Sequence, residues 1–189
     1  MARLIFMLEE ESMVRCLKGL LPRLLPGSLE GRDYLFISHD GKQHLEKSLP
    51  RKLRSWNYPD DLFVILRDQD SGDCKTIKQH LVNLCEQSGR QASLIRIVCR
   101  ELESWYIGDL AAVAAAFHKP KLVKNQSKAK FSEPDKLGSP ATELKKLVPN
   151  YMKKSGSSLI GQELSLEPNA NMSRSFQAFI SGIRRIAQG

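Results

Sequence analysis

The 189-residue chain has no apolar run near the 18 or more residues that a membrane span takes, so a spanning segment is not expected. It has few aromatics (7%), and it lacks both a G-x-x-x-x-G-K-[ST] phosphate loop and a G-x-S-x-G nucleophile elbow. Its own sequence therefore offers no nucleotide-hydrolysing or serine-hydrolase machinery. None of its four cysteines, Cys16, Cys74, Cys85 and Cys99, forms a C-x-x-C pair, and the four histidines stand in no finger-like relation to them. Zinc is not expected. The opening MARLIFMLEEESM has too short an apolar run for a secretory signal, so reduced thiols and a cytoplasmic location are expected. What the chain does have is charge. Lysine plus arginine number 29 against 21 acids, giving +8, a balance that suits polyanion partners.

The first hundred residues alternate between two periods. Apolar runs at Arg3–Leu8, Tyr34–Ile37, Leu62–Leu66 and Leu94–Cys99 read as strands covered on both faces. Between them, helical spacing appears at Ser12–Leu25, with Ser12 the expected N-cap and Pro22 a kink or an early end, and at Gln43–Leu53, with Pro50 interrupting. Cys74–Ser88 follows, closed by Gly89, and Glu101–Phe117 reads as one long helix. Strand and helix in alternation predict an α/β fold, a Rossmann-like parallel four-stranded sheet with helices on both faces. Residues 1–118 form this core and 119–189 a basic loop and helical extension packing on it. Lys119–Lys154 holds ten lysines against three acids and is broken by four prolines. It reads mostly as loop, with a helix near Ala141–Val148, and Ser173–Ala187 is a final amphipathic helix.

Ligands of open α/β sheets bind outside the carboxyl ends of the strands. Acids follow three of the four strands here: Glu9, Glu10 and Glu11 after the first, Asp68 and Asp70 after the third, and Glu101, Glu103 and then Asp109 after the fourth. Carboxylates gathered out of water repel one another, and a hard divalent cation, Mg²⁺ or Mn²⁺, relieves this. Glu9–Glu11 also suit the first turn of a helix, and Asp68 and Asp70 suit a turn at Ser71-Gly72. Lys42, Arg51 and Lys52 after the second strand, with Lys124, Lys128 and Lys130 in the basic segment, suit contacts to nucleic-acid phosphates or a solvated surface. His39 suits acid–base work; Tyr106, Trp56 and Trp105 suit packing.

The order of a glutamate after strand one and D-x-D after strand three resembles the Toprim domains of topoisomerases, primases and OLD-type nucleases. More closely, the chain is similar to a bacterial Toprim-like family of unassigned chemistry, typically encoded near ABC-type ATPases in defence loci. The matching stretches are LEEESM followed by LLPRLLP (8–26), DGKQHLEKSLPRKLRSW (40–56), FVILRDQDSGDC (63–74), RIVCRELESWYIGDL (96–110) and SRSFQAFISGIRR (173–185). The resemblance implies a Mg²⁺- or Mn²⁺-dependent nuclease acting on DNA or RNA in anti-phage defence beside an ABC-type ATPase partner. It implies Glu9 as general acid/base or metal ligand, Asp68 and Asp70 as metal ligands, and Glu103 as the acid preceding the family's tryptophan. One position departs: many Toprim proteins carry glycine after the glutamate, where this chain has Glu10. A non-catalytic module docking on an ATPase or nucleic acid is the other expectation.

Overall fold

The computed structural model describes residues 2–188. Four parallel strands, β1 (Leu4–Leu8), β2 (Tyr34–Ser38), β3 (Leu62–Asp68) and β4 (Leu94–Val98), lie in the order β2-β1-β3-β4. Side-chain alternation sorts the central strands. Leu4, Phe6, Leu8, Val64 and Leu66 face one layer, and Ile5, Met7, Phe63 and Ile65 face the other. The second layer is closed by α2 (Lys42–Arg54) and α3 (Cys74–Gln87). The first is closed by α1 (Glu11–Leu24), α4 (Glu103–Ile107) and α8 (Arg174–Ala187). The α/β architecture with a four-stranded parallel sheet and helices on both faces is thus the observed one. Among the described residues no helix is long and apolar enough to cross a membrane, and all four cysteines are free.

Three local expectations are corrected. Helix α1 starts at Glu11 with Glu10 at the N-cap, because Ser12 already lies inside the helix, where its hydroxyl donates to the Glu10 carboxylate. Pro22 and Pro50 do not end their helices. Each lies late in its helix, where buried Leu20, Leu21 and Leu24, or Leu49 and Leu53, anchor the turns around it and offset the ~3 kcal/mol cost of an interior proline. The long helix expected over Glu101–Phe117 is two, α4 and α5 (Leu110–Ala116). A Cβ on Gly108 would lie 2.2 Å from Asn171 Oδ1, so the 171–173 segment wedges in there, and Asp109 restarts the helix by accepting from Ala112 N at 3.0 Å.

The C-terminal third continues through 3₁₀ segments at Pro120–Ser127, Ala129–Phe131 and Pro134–Lys136 into α6 (Pro140–Leu147) and α7 (Lys153–Glu163). Helix α7 lies flush on α1. Cβ atoms on Gly161 and Gly19 would meet Cys16 O at 2.3 Å and Gln162 N at 2.6 Å, so only glycine permits the crossing. Arg23 then donates to Gly161 O and Leu164 O, both at 2.9 Å, satisfying carbonyls at the end of α7.

Candidate functional site

The carboxyl ends of β1 and β3 continue their ladder past the strands: Glu9 N donates to Leu66 O at 3.2 Å and Gly41 N to Glu9 O at 2.9 Å. The Glu9 carboxylate turns along the edge and accepts from Asp68 N at 2.9 Å, which ties two strand-end acids together directly. Asp68 has the parity of Val64 and Leu66 and so faces the α1 side, where Glu103 also stands at the start of α4. Glu9, Asp68 and Glu103 are 8%, 4% and 1% exposed. Three acids distant in sequence are therefore buried along one edge. Asp68 Oδ1 and Glu103 Oε2 are sequestered without a hydrogen-bond partner among the described residues, a costly state for a carboxylate oxygen.

Their protonation equilibria reflect this. Burial raises the pKa of Asp68 well above the ordinary aspartate value, and the charges of Glu9 and Glu10 add to it. Burial raises Glu9 too; the Asp68 amide opposes, while Asp70 reinforces. Burial likewise raises Glu103, against Lys153 and the Tyr151 hydroxyl, which donates to Glu103 Oε1 at 2.9 Å. Lys153, the first residue of α7, pairs with Glu10 Oε1 at 2.7 Å while 44% of its side chain remains exposed. Burial works against its charge, but the hydrogen bond to Glu10 and the fields of Glu103 and Asp68 outweigh that and raise its pKa.

Asp70 goes elsewhere. The chain turns through a left-handed residue there (φ 55°), pinned by Asp70 N donating to Arg100 O at 2.8 Å, and the carboxylate pairs with Lys42 Nζ at 2.7 Å. Side chains of Asp and Asn are the ones that tolerate such a φ. Two further acids expected near the site serve as helix caps. Glu101 Oε2 accepts from Ala141 N at 3.0 Å at the start of α6, and Asp109, besides capping α5, accepts from Ser165 N at 2.8 Å. Of the basic residues, Lys52 donates to His39 Nε2 at 2.8 Å and Lys130 pairs with Glu143 at 2.5 Å, whereas Arg51, Lys124 and Lys128 are exposed. His39 is buried; its Nδ1 lies 2.8 Å from Leu8 O, and burial lowers its pKa, so it stays neutral. Trp105, Trp56 and Tyr106 are packing residues. The first meets Phe176 edge to face and Phe179 at a tilt, and the second meets Phe63 edge to face, while Tyr106 is wholly buried.

The donor set of Glu9, Glu10, Asp68 and Glu103 is all hard oxygen, the chemistry of Mg²⁺ and Mn²⁺, and the two orphaned oxygens are positions a cation would satisfy. In the present arrangement, no three His, Cys, Asp or Glu side chains among the described residues stand together closely enough to hold an ion. As they stand these acids form no ion site; one would arise only if they closed together. Beside them a cleft of about 580 Å³ opens, lined among others by Glu10, Arg15, His39, Lys153 and Lys154. A hollow between the 165–171 segment and α8 contains none of these acids. Tyr151 and Lys153 have no role in the sequence reading. Their partners lie 48 and 143 positions away, and the local pattern K-K-S-G-S-S carries no sign of them.

A family model described as Domain of unknown function (DUF4276) matches residues 8–184, and thus takes in both Glu9 and Lys153. No curated protein and no solved structure matches the chain. The chain belongs to the DUF4276 family.

Proposed function

We propose that this DUF4276 member is a metal-dependent, Toprim-type nuclease that hydrolyses phosphodiesters of DNA or RNA. One observation carries the reading: three strand-end acids are buried together, and two of their oxygens, Asp68 Oδ1 and Glu103 Oε2, have no partner. Asp68 and Glu103 would hold Mg²⁺ or Mn²⁺, with Glu9 completing the set on closure. When bound, the ion supplies Lewis-acid stabilisation of charge on the leaving oxygen. Glu9, whose pKa burial raises, would be the group that moves a proton, its carboxylate held by the Asp68 amide. The adjacent cleft, with Arg15 and Lys154 on its wall, would take the phosphate backbone. Asp70, held by Lys42, joins the ligand set only by releasing that lysine.

The Toprim resemblance supports a cytoplasmic effector of bacterial anti-phage defence, and the missing phosphate loop leaves ATP hydrolysis to an ABC-type ATPase partner. The test is cleavage of single- and double-stranded DNA and RNA with Mg²⁺ or Mn²⁺, with and without the partner. Activity is expected to vanish on chelation and in Asp68→Ala. Calorimetry showing that wild-type protein takes up neither ion, alone or with its partner, would overturn the reading.

A second reading is favoured by the ion pairs Lys42–Asp70 and Lys153–Glu10, which already neutralise two of the acids. On it the domain is a non-catalytic module docking on an ATPase. Co-purification with an ATPase, together with wild-type behaviour of the Asp68→Ala/Asp70→Ala double variant in cells, would select it.

A further inference from the structure

We infer that Arg100 is a substrate-binding residue of this edge, its guanidinium gripping a phosphate of the nucleic-acid backbone. The inference deepens the reading above by naming a side chain which that reading leaves out, and it rests on the choice of a nucleic-acid substrate. It needs no metal ion.

The backbone singles Arg100 out. Among the described residues, four other than glycine adopt a left-handed φ: Asp70 (55°), Arg100 (62°), His118 (53°) and Asn169 (64°). Aspartate, asparagine and histidine are the side chains enriched in that region. Arginine is not, and its Cβ meets the crowding that disfavours the left-handed turn. The fold gives no reason for an arginine there. Arg100 N donates to Gln69 Oε1 at 3.1 Å, and Arg100 O accepts from Asp70 N at 2.8 Å. Both bonds use backbone atoms, which glycine would supply with less strain. The facing turn is fixed from its own side, with Gln69 N donating to Val98 O and Gln69 Nε2 to Gly72 O, each at 2.8 Å. A strained residue held by its surroundings, carrying a side chain the fold does not use, points to a functional position.

Its location indicates which function. Val98 pairs with Asp68 in the register of β3 and β4, so Arg100 leaves the sheet two residues past the partner of the buried aspartate and three residues before Glu103. Other bases of this edge are engaged by acids: Lys42 by Asp70, Arg67 by Glu46 and Lys153 by Glu10. Arg100 is half-buried, yet its guanidinium joins no ion pair among the described residues, and its hydrogen bonds there are those of its backbone. A guanidinium whose fork of donors is unused suits the two free oxygens of a phosphodiester, which it takes bidentately.

The test is anisotropy titration of labelled single- and double-stranded DNA and RNA oligonucleotides in EDTA with wild type, Arg100→Gln and Arg100→Gly, beside urea unfolding of each. Arg100→Gln removes the charge and keeps the backbone strain; Arg100→Gly removes both. Both variants are expected to bind the probe preferred by wild type about tenfold or more weakly. Their salt dependence should be shallower by about one phosphate contact. Arg100→Gly is expected to unfold at a urea concentration no lower than wild type. Wild-type affinity in either variant would overturn the inference, as would a lower urea midpoint for Arg100→Gly, which would give the side chain a structural role. Wild type that binds no probe would overturn it as well. Cleavage with Mg²⁺ or Mn²⁺ is read separately: its absence from wild type would sink the nuclease reading and leave nucleic-acid binding by Arg100 standing.

Discussion

On the α2 side of the sheet's carboxyl edge Asp70 and Glu46 each meet a base, whereas on the α7 side Glu9, Glu10, Asp68 and Glu103 share, among the described residues, the ion pair of one ammonium, Lys153. Asp70 pairs with Lys42 at 2.7 Å, and Glu46 stands 3.3 Å from Arg67 Nε and 3.5 Å from His80. The α7 side is also the more buried, and the two unpartnered carboxylate oxygens lie there. The two sides begin from neighbouring residues of one strand: Arg67 faces α2 and α3, and Asp68 the opposite layer, by the alternation of β3. The acids of the α2 side each have a cation beside them, although Arg67 Nε is buried without a hydrogen bond of its own among the described residues. An excess of buried acid is destabilising unless something arrives to offset it, which is the physical difference between a scaffold and a site.

The sharpest way to break this contrast is to change each aspartate of the D-x-D in turn. Asp68→Asn is expected to lower Mn²⁺-dependent cleavage by about 100-fold or more, the scale of losing a charged group that meets the reacting centre. The same change should stabilise the metal-free protein by ~1 kcal/mol, as relief of a strained functional site often does. Asp70→Asn should lower cleavage about tenfold or less and leave stability within ~1 kcal/mol, because its ion pair is exposed. Cleavage rates and urea unfolding read both. Equal effects of the two variants would erase the distinction between the sides.

Tyr151→Phe tests how far the α7 side depends on the buried hydroxyl that serves Glu103. The change leaves Glu103 with neither oxygen hydrogen-bonded in a buried place. Destabilisation of ~1–3 kcal/mol is expected in denaturant titration. Tyr58→Phe, on a residue 59% exposed, is the control and should stay within ~0.5 kcal/mol.

The pH dependence of stability sharpens the comparison further. Burial raises the pKa of Asp68, Glu9 and Glu103 in the folded protein, while in the unfolded chain such carboxyls titrate near ~4. A group with a raised folded pKa contributes stability that is complete below the unfolded value and is lost as pH rises through the folded one. Metal-free wild type should therefore lose stability relative to Asp68→Asn as pH climbs from about 4 toward neutrality. Acids held low by partners, such as Asp61 on Arg3 and Trp56, drop out of that difference because both proteins carry them. A gap that stays constant with pH would show that Asp68 is not held out of water as the structure has it.

Much of this is legible in the chain because it depends on local period. The four apolar runs, the alternating helices and the strand-end acids place the sheet and its carboxyl edge without any knowledge of contacts. The split of D-x-D is not legible. Alternation sends the two acids apart or together according to whether the strand turns at Asp70, and that depends on a bond to Arg100, just past the end of β4. Glu101 and Asp109 look like site acids in sequence, since helix capping and metal ligation draw on the same residue types at strand ends. Helix α7 escapes the sequence pattern because glycine and serine take most of its buried positions and leave Ile160 with no apolar stripe around it; its two close-packed glycines are meaningful only against Cys16 and Tyr151.

The smallest expected effect lies on the balanced side. The side chains of Lys42 and Asp70 are 46% and 38% exposed, so a double-mutant cycle of Lys42→Met with Asp70→Asn should give a coupling of ~0.2–1 kcal/mol. That coupling should shrink further in ~1 M salt, where the screening length falls to about 3 Å. The result matters more than its size. A coupling above ~2 kcal/mol would mean that Lys42 holds Asp70 against a real tendency to turn toward Glu9, whose pKa already responds to the Asp70 charge. Asp70 would then belong to the anionic excess, with Lys42 as its restraint, and the boundary between scaffold and site would run through the ion pair instead of along β3.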